Sequence, residues 1–148
     1  MTPRIAITRT WSDNHMAQLA FEVRDGTSVF VNEAYVQLDW GVVTASALRA
    51  FGQQIYGGLF DLQAGEEGFE YAGGFIRARF HWYKPDQLLI STRQQGDHFP
   101  FKGSKAAANA SLFLKTEPAL LDRFVTELPS LDAQDGGQAT LECILPQK

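Results

Sequence analysis

Arginine and histidine side chains recur at every second position of one short stretch of this chain, residues 74–83. Arg77, Arg79 and His81 alternate there with apolar residues. A period of two is typical of a β-strand with two different faces. Guanidinium groups bind carboxylates and phosphates through paired hydrogen bonds, and a histidine can exchange a proton near neutral pH. The spacing therefore predicts a sheet face that can bind an anion or an acidic partner.

A fourth basic residue, Arg93, lies in the next strand-like stretch, residues 86–94. A slip of one residue in the pairing of the two stretches would turn every side chain to the other face and would bury Arg93. The register that keeps both apolar faces in the core needs a connection of odd length, for which we expect a three-residue loop at 84–86. Its pairs are Ala78–Thr92, Phe80–Ile90 and Trp82–Leu88 on the apolar face, with Arg77–Arg93, Arg79–Ser91, His81–Leu89 and Tyr83–Gln87 on the polar face.

The polar face of this predicted hairpin is our candidate binding site. Its residues are Phe75, Arg77, Arg79, His81, Tyr83 and Arg93. Arginine and aromatic residues are enriched in protein–protein interfaces. Because like charges that face each other across a sheet repel, we expect a carboxylate near the two opposed arginines. It can come from this chain, with Glu22, Glu33 and Glu70 as candidates, or from a partner, and the sequence leaves both open.

No other pattern in the sequence indicates a catalytic or metal centre. The single cysteine, Cys143, lies in an apolar strand pattern that predicts a buried core residue. His15, His81 and His98 are too far apart for a metal-binding motif, and the acidic residues at 66–70 lie beside glycines, as in a solvated loop. No phosphate-binding or nucleophile motif is present. We therefore expect no catalytic residue, no metal and no cofactor.

Length and composition are those of one globular domain spanning residues 1–148. Hydrophobic residues make up 45% and charged residues 20%, and the formal net charge is -4. An acidic chain is a poor match for the phosphate backbone, so we expect no nucleic acid partner. The sequence has no signal peptide pattern and no apolar run long enough to span a membrane, which predicts a cytoplasmic protein without membrane association.

Alternating patterns predict strands before and after each of two helices. We expect three N-terminal strands, a short strand at 69–71, the hairpin described above, and strands at 111–115 and 139–145. The first helix should begin at a Thr44 cap, and Leu48, Phe51, Ile55 and Leu59 fall at helical spacings after it, with the glycines 57–58 as its end or its left-handed cap. The second should begin at a Thr116 cap with Pro118 in its first turn, and residues 95–108 should form a long loop. The sum predicts an α+β fold, a curved antiparallel sheet of six to nine strands with two helices packed on it.

Five short segments follow one another in an order that is informative as a whole. They are 47–51 (ALRAF), 68–71 (GFEY), 76–80 (IRARF), 110–114 (ASLFL) and 120–124 (LLDRF). This order resembles that of the WapI-type bacterial immunity proteins and related small α+β domains. The resemblance implies a non-enzymatic protein that neutralises a co-encoded toxin by binding it, and it implies no site residues.

Three hypotheses on function follow from these observations. The first is a non-enzymatic cytoplasmic binding protein with a protein partner, which includes a bacterial immunity protein. The second is a binder of a small anionic molecule, or an enzyme, whose pocket lies at Arg77, Arg79, His81 and Arg93. The third is a structural subunit of a larger assembly. A flat, exposed arginine face favours the first hypothesis, and a deep pocket around these side chains favours the second.

Overall fold

A computed structural model describes residues 2–54, 57–67 and 73–145 of the chain. Their elements are β1 (Arg4–Ser12), β2 (Met16–Arg24), β3 (Val29–Gln37), α1 (Trp40–Gly52), β4 (Leu59–Ala64), β5 (Phe75–Lys84), β6 (Gln87–Gln95), β7 (Phe99–Phe101), β8 (Ser104–Ala106), β9 (Asn109–Thr116), α2 (Pro118–Glu127), α3 (Ser130–Ala133) and β10 (Gln138–Glu142). The predicted strand at 69–71 and residue Ile55 of the predicted first helix lie outside the described residues.

The fold is α+β with antiparallel sheets, as predicted, but its strands are divided between two four-stranded sheets and a separate hairpin. The first sheet has the order β10–β1–β2–β3 and the second has the order β4–β5–β6–β9, while β7 pairs with β8. The division arises after α1, because the next strand, β4, pairs with β5 rather than with β3. The described strands therefore do not form the predicted single sheet of six to nine strands.

The two sheets are built by the same succession of elements. In each, three adjacent antiparallel strands (β1–β2–β3, or β5–β6–β9 with the β7–β8 hairpin inserted) are followed by helical structure, and the next strand joins the edge of the other sheet. Thus β4 follows α1 and pairs with β5, and β10 follows α2 and pairs with β1. This exchange of edge strands ties the two sheets together, because neither sheet can separate without losing a strand.

Both sheets and the helices contribute to one hydrophobic core. Alternate residues of β1, β2, β5 and β6 point into it, which is the burial pattern that the period of two predicts. The stacked rings of Phe51 and Trp82 join α1 to β5, with 6.1 Å between their centroids. The largest fully buried core side chains include Phe21, Phe80, Phe124, Ile5, Ile7, Leu19, Leu48, Leu62, Ile76, Leu88 and Ile90.

The helix starts differ from those predicted because a distant residue takes part in a hydrogen bond at each of them. α1 begins at Trp40, four residues before Thr44, which is buried within the helix. Its first-turn N–H groups, those of Gly41 and Val42, donate to the carboxylate of Asp132, each at 2.7 Å. In the second helix Pro118 occupies the first turn as expected, but the Thr116 hydroxyl is not a cap and donates instead to the Glu142 carbonyl. α1 also ends at Gly52, and Leu59 belongs to β4.

A buried polar contact fixes the position of β5 and β6 relative to the first sheet. The side chain of Gln94 donates to Asn32 Oδ1 at 2.8 Å, and Asn32 Nδ2 donates to the carbonyl of Phe75 at 3.2 Å. The backbone of Gly74 passes so close to the Glu33 carbonyl oxygen that a Cβ at this position would collide with it. Strand β3 therefore crosses the start of β5 in direct contact.

Residues 95–108, which the sequence predicts to be a long loop, contain the β7–β8 hairpin. Among the described residues, no helix has the length and apolar character that a membrane span requires.

Candidate binding face

The predicted site lies on the outer side of the second sheet, which we call the basic face. Three cross-strand rows form it: Gln63–Arg77–Arg93–Ser111, Asp61–Arg79–Ser91–Phe113 and Leu59–His81–Leu89–Lys115. The predicted register of β5 and β6 is confirmed, with Arg77 directly opposite Arg93. The alternation that buries one side of these strands thus brings four of the predicted site residues together on the other.

The turn between β5 and β6 is shorter than predicted. Lys84 pairs with Gln87, which leaves a two-residue turn, and the register shifts between Trp82 and Lys84. Tyr83 is the extra residue at this irregularity, so the predicted Tyr83–Gln87 pair and the three-residue loop are wrong. Because of this extra residue, the number of residues between Trp82 and Leu88 is odd, as the pairing of the two apolar faces requires. Tyr83 is 63% exposed at the end of the basic face.

Phe75 does not belong to the exposed site. Its side chain is only 2% exposed, although its position in β5 has the same parity as the arginines. The start of β5 lies under β3 at this point, where the Asn32 side chain binds the Phe75 carbonyl. Crossing of the sheets at this end of the strand therefore removes Phe75 from the surface on which the prediction placed it.

Acidic residues neutralise two of the three arginines. Arg79 binds Asp61 through Nε at 2.9 Å and Nη2 at 3.0 Å, and the Arg79 hydrogen bond is the largest cause that holds the Asp61 pKa below its usual value. Arg93 pairs with Glu67 from the loop after β4. Arg77 has no carboxylate within ion-pair distance among the described residues.

The carboxylates that the sequence offered as internal partners are engaged elsewhere or lie outside the described residues. Glu22 pairs with Arg4 and Arg24 on the first sheet. Glu33 accepts a hydrogen bond from the Thr10 hydroxyl, also on the first sheet. Glu70 is not among the described residues. Among the described residues, Asp61 and Glu67 are the carboxylates that pair with arginines of the basic face, and positive charges outnumber negative charges there.

Exposed apolar side chains lie among these charges. Phe113 is 71% exposed beside Ser91, and Leu59 is 63% exposed beside His81. The sequence prediction of the site did not include either residue. The alternation in Leu112-Phe113-Leu114 could have identified Phe113, because two leucines that point into the core place the residue between them on the outer side. The basic face thus combines arginines with a large exposed aromatic ring, the combination enriched at protein interfaces.

The depression on this face is shallow. Its volume is about 240 Å³, and Arg77, Arg79, Ser91, Arg93, Ser111 and Phe113 line it. Pockets that enclose small-molecule ligands usually have volumes of about 300–1,000 Å³. A larger and more open groove of about 520 Å³ lies at the edges of β3 and β4, where Tyr35, Trp40 and Gln63 line it, and none of the predicted site residues lines it.

The remaining chemical candidates do not form a reactive centre in the described part of the chain. Cys143 is buried as predicted, and burial raises the pKa of its thiol to about 12, so the thiol stays protonated at neutral pH. No group of three or more histidine, cysteine or acidic side chains within residues 2–54, 57–67 and 73–145 is arranged to hold a metal ion.

Comparison of the chain with protein-family models, with curated proteins and with solved structures finds no match.

Proposed function

We propose that this chain is a non-enzymatic binding protein that holds an acidic protein partner against its basic face. The observation that carries the proposal is the 71% exposure of Phe113, which lies on β9 at the end of the Arg79 row and beside the Arg93 row. An aromatic ring in such a position contributes about 1.5–3 kcal/mol when a partner covers it. The surrounding guanidinium groups select carboxylates through paired hydrogen bonds.

The charge distribution supports an acidic partner. The chain has a formal net charge of -4, yet the basic face carries Arg77, Arg79, Arg93 and Lys115 against Asp61 and Glu67. A local charge opposite in sign to that of the whole molecule orients a partner and excludes others. Arg77 offers a guanidinium group for which no described carboxylate competes.

The shape of the face favours a protein over a small molecule. A depression of about 240 Å³ on an open sheet leaves a small ligand largely in solvent. A protein surface can instead cover the whole face, so that Phe113 and Leu59 leave water together with the arginines. The resemblance to WapI-type immunity proteins supports the more specific proposal that the partner is a toxin encoded beside this protein in a bacterial cytoplasm.

Affinity capture with matched variants tests the proposal. Phe113→Ser and Arg77→Glu should each weaken partner capture from a lysate of the source organism at least about tenfold while the melting temperature stays within a few degrees of wild type. The controls are Val31→Ser, which changes an exposed residue on the outer side of the first sheet, and Arg123→Glu on the exposed side of α2. Equal capture by all four variants would remove the basic face from consideration.

A thermal-shift screen separates the small-molecule hypothesis. If anionic metabolites bind the arginines, at least one should raise the melting temperature of wild type and leave that of Arg77→Glu unchanged. If the protein hypothesis is correct, no metabolite should produce this difference. The captured protein should instead raise the melting temperature of wild type, and the increase should grow with its concentration.

A further inference from the structure

The basic face by itself is too small for a stable protein interface. When the width of each strand and row is counted, its four strands cover about 19 Å and its three rows about 20 Å, which corresponds to about 400 Å². Stable complexes bury about 800 Å² on each partner. A partner held at this face must therefore contact neighbouring parts of the molecule as well.

One neighbouring part is the β7–β8 hairpin, which continues strands β6 and β9 beyond the end of the sheet. Gln95 pairs with Asn109 at the last step of the β6–β9 ladder, and the Gly96 N–H donates to the Ala108 carbonyl at 2.8 Å. The hairpin follows immediately, with Phe99 opposite Ala106 and Phe101 opposite Ser104. It thus extends from the end of the sheet at which the Arg77–Arg93 row lies.

The hairpin carries two exposed aromatic rings in a fixed arrangement. Phe99 is 47% exposed and Phe101 is 55% exposed, and their rings meet edge to face with 6.4 Å between centroids. They are two residues apart on β7 and therefore lie on the same side of it. Neither ring belongs to the hydrophobic core. Aromatic side chains that pack on each other rather than on the core form an exposed anchor of the kind that binding sites use.

The tip of the hairpin holds a lysine in a conformation that disfavours it. Lys102 has a φ of 51°, and it is the one non-glycine residue with positive φ in the described ranges. Gly103 follows with a φ of 79°, so the two residues form a turn of the kind in which asparagine or glycine normally occupies the first position. This conformation is unfavourable for a residue with a Cβ, and such strain is concentrated at functional sites, which makes the Lys102 side chain a candidate for binding. The charged group of Lys102 lies 5.8 Å from the centre of the Phe101 ring.

We propose that the β7–β8 hairpin is a docking arm that inserts Phe99 and Phe101 into an apolar groove, bordered by carboxylates, on the same acidic protein that covers the basic face. This inference rests on the proposed function. The positive group at the tip, Lys102, matches the sign of the charge on the basic face, and Lys105, opposite Pro100, adds a positive charge on the other side of the hairpin from the two rings. One acidic partner therefore satisfies both surfaces.

An anionic membrane fits the observations less well than an acidic protein. Two phenylalanines and two lysines could contact a lipid surface, but the rest of a chain with a net charge of -4 would be repelled by anionic headgroups. A protein partner contacts the basic regions alone. Binding of the protein to anionic vesicles would therefore show that the hairpin docks on a membrane and not on an acidic protein.

Photo-crosslinking locates the partner on each surface. A benzophenone side chain in place of Phe101, in place of Phe113 or, as control, in place of Val31 is irradiated in the lysate, and the crosslinked peptides are identified by mass spectrometry. We expect positions 101 and 113 to crosslink the same protein, through peptides with more acidic than basic residues, and position 31 not to do so. A crosslinking pattern at 101 that equals the pattern at 31 would overturn the docking arm.

Variants of the hairpin measure its contribution against that of the basic face. Phe99→Ser with Phe101→Ser should weaken binding of the crosslinked protein at least about tenfold. Lys102→Asn should raise the melting temperature, since the strain is relieved, and yet weaken binding about threefold to tenfold. Arg123→Gln is the charge-loss control and should change neither quantity.

The combined results separate the two proposals. If Phe113→Ser loses binding and the hairpin variants keep it, the docking arm is wrong and the proposed function stands. If the hairpin variants lose binding and Phe113→Ser keeps it, the basic face is not the binding site and the shared-partner proposal is wrong. Co-sedimentation with phosphatidylcholine vesicles that contain phosphatidylserine, but not with phosphatidylcholine alone, would also overturn the docking arm.

Discussion

Arg77 lies directly opposite Arg93 in the β5–β6 pair, and within the described residues only Arg93 has a carboxylate partner, Glu67. Two guanidinium groups in a facing pair repel each other, and Glu67 offsets the repulsion from one side. The neutralising carboxylate comes from the loop after β4 rather than from a neighbouring strand. Among the described residues, this arrangement leaves Arg77 without an ion-pair partner, at some cost in stability.

Replacing Arg77 should therefore stabilise the free protein. We expect Arg77→Thr to raise the free energy of unfolding by about 0.2–1 kcal/mol at low ionic strength, because it removes a like-charge pair and introduces a good strand residue. The gain should shrink in high salt, which screens the repulsion. Urea titrations at two salt concentrations measure both effects. Arg79→Thr is the matched control on the same strand, and it should not stabilise, because Arg79 has Asp61 as a partner.

The Asp61–Arg79 pair should make stability depend on acidity in a defined direction. The Arg79 hydrogen bond holds the pKa of Asp61 below its ordinary value of 3.8, so the folded state favours the ionised carboxylate. The contribution of the pair is therefore complete above about pH 5, since the unfolded carboxyl is ionised there, and it is lost as the pH falls through the folded pKa, below 3.8.

A double-mutant cycle with Asp61→Asn and Arg79→Gln isolates this contribution. We expect a small favourable coupling at pH 7, because both side chains are partly exposed, and no coupling at a pH below the folded pKa. A coupling of the same size at both acidities would contradict the assigned direction of the pKa shift.

A buried arginine on the first sheet should matter more to stability than any arginine of the basic face. Arg9 is 9% exposed, and it donates to the Leu131 carbonyl at 3.1 Å, to Asp135 at 2.9 Å and to the Ser12 hydroxyl at 2.6 Å. Its guanidinium group thereby joins β1 to α3 and the loop that follows. Lysine cannot reproduce this fork of donors.

We expect Arg9→Met to lower the free energy of unfolding by about 2–3 kcal/mol, because the Leu131 carbonyl is left without its donor. Arg4→Met is the control. Arg4 pairs with Glu22 in a half-exposed position, and Glu22 keeps Arg24 as a partner, so that loss should stay below about 1 kcal/mol. Chemical denaturation of both variants measures the difference, and equal losses would mean that burial of Arg9 is unimportant.

The sequence predicted the strands of the basic face well because their constraint is local. A one-residue slip between β5 and β6 would have buried Arg93, so the alternation of apolar residues was sufficient to find the register. Phe75 shows the limit of that reasoning. Its exposure depends on β3, which crosses the start of β5 and is more than forty residues away in the chain, with Asn32 and Phe75 separated by 43 positions.

The division into two sheets was beyond the same reasoning. Local patterns identify a strand but not its neighbour, and here the strands that follow the helices exchange between sheets, so that β10 pairs with β1 across almost the whole chain. The β7–β8 hairpin was missed for a different reason: its strands have three residues each, too few for alternation to stand out.

The start of α1 provides the last prediction, because its cap comes from a distant part of the chain. Asp132 of α3 accepts the N–H groups of Gly41 and Val42, which are 91 and 90 residues away in sequence. A carboxylate at a helix N-terminus satisfies free donors and interacts favourably with the helix dipole. Gly41 permits the approach, since a Cβ there would collide with the Leu128 carbonyl oxygen.

We expect Asp132→Ala to lower the free energy of unfolding by about 1 kcal/mol, and up to about 2 kcal/mol, because two donors of the first turn lose their acceptor. Asp122→Ala on the exposed side of α2 is the matched control and should change stability by less than about 0.5 kcal/mol. Hydrogen exchange supplies a local measurement. In Asp132→Ala the amides of residues 41 and 42 should lose protection while those of β5 and β6 keep theirs. If both variants have the same stability and the same exchange pattern, the Asp132 carboxylate does not cap α1 in solution.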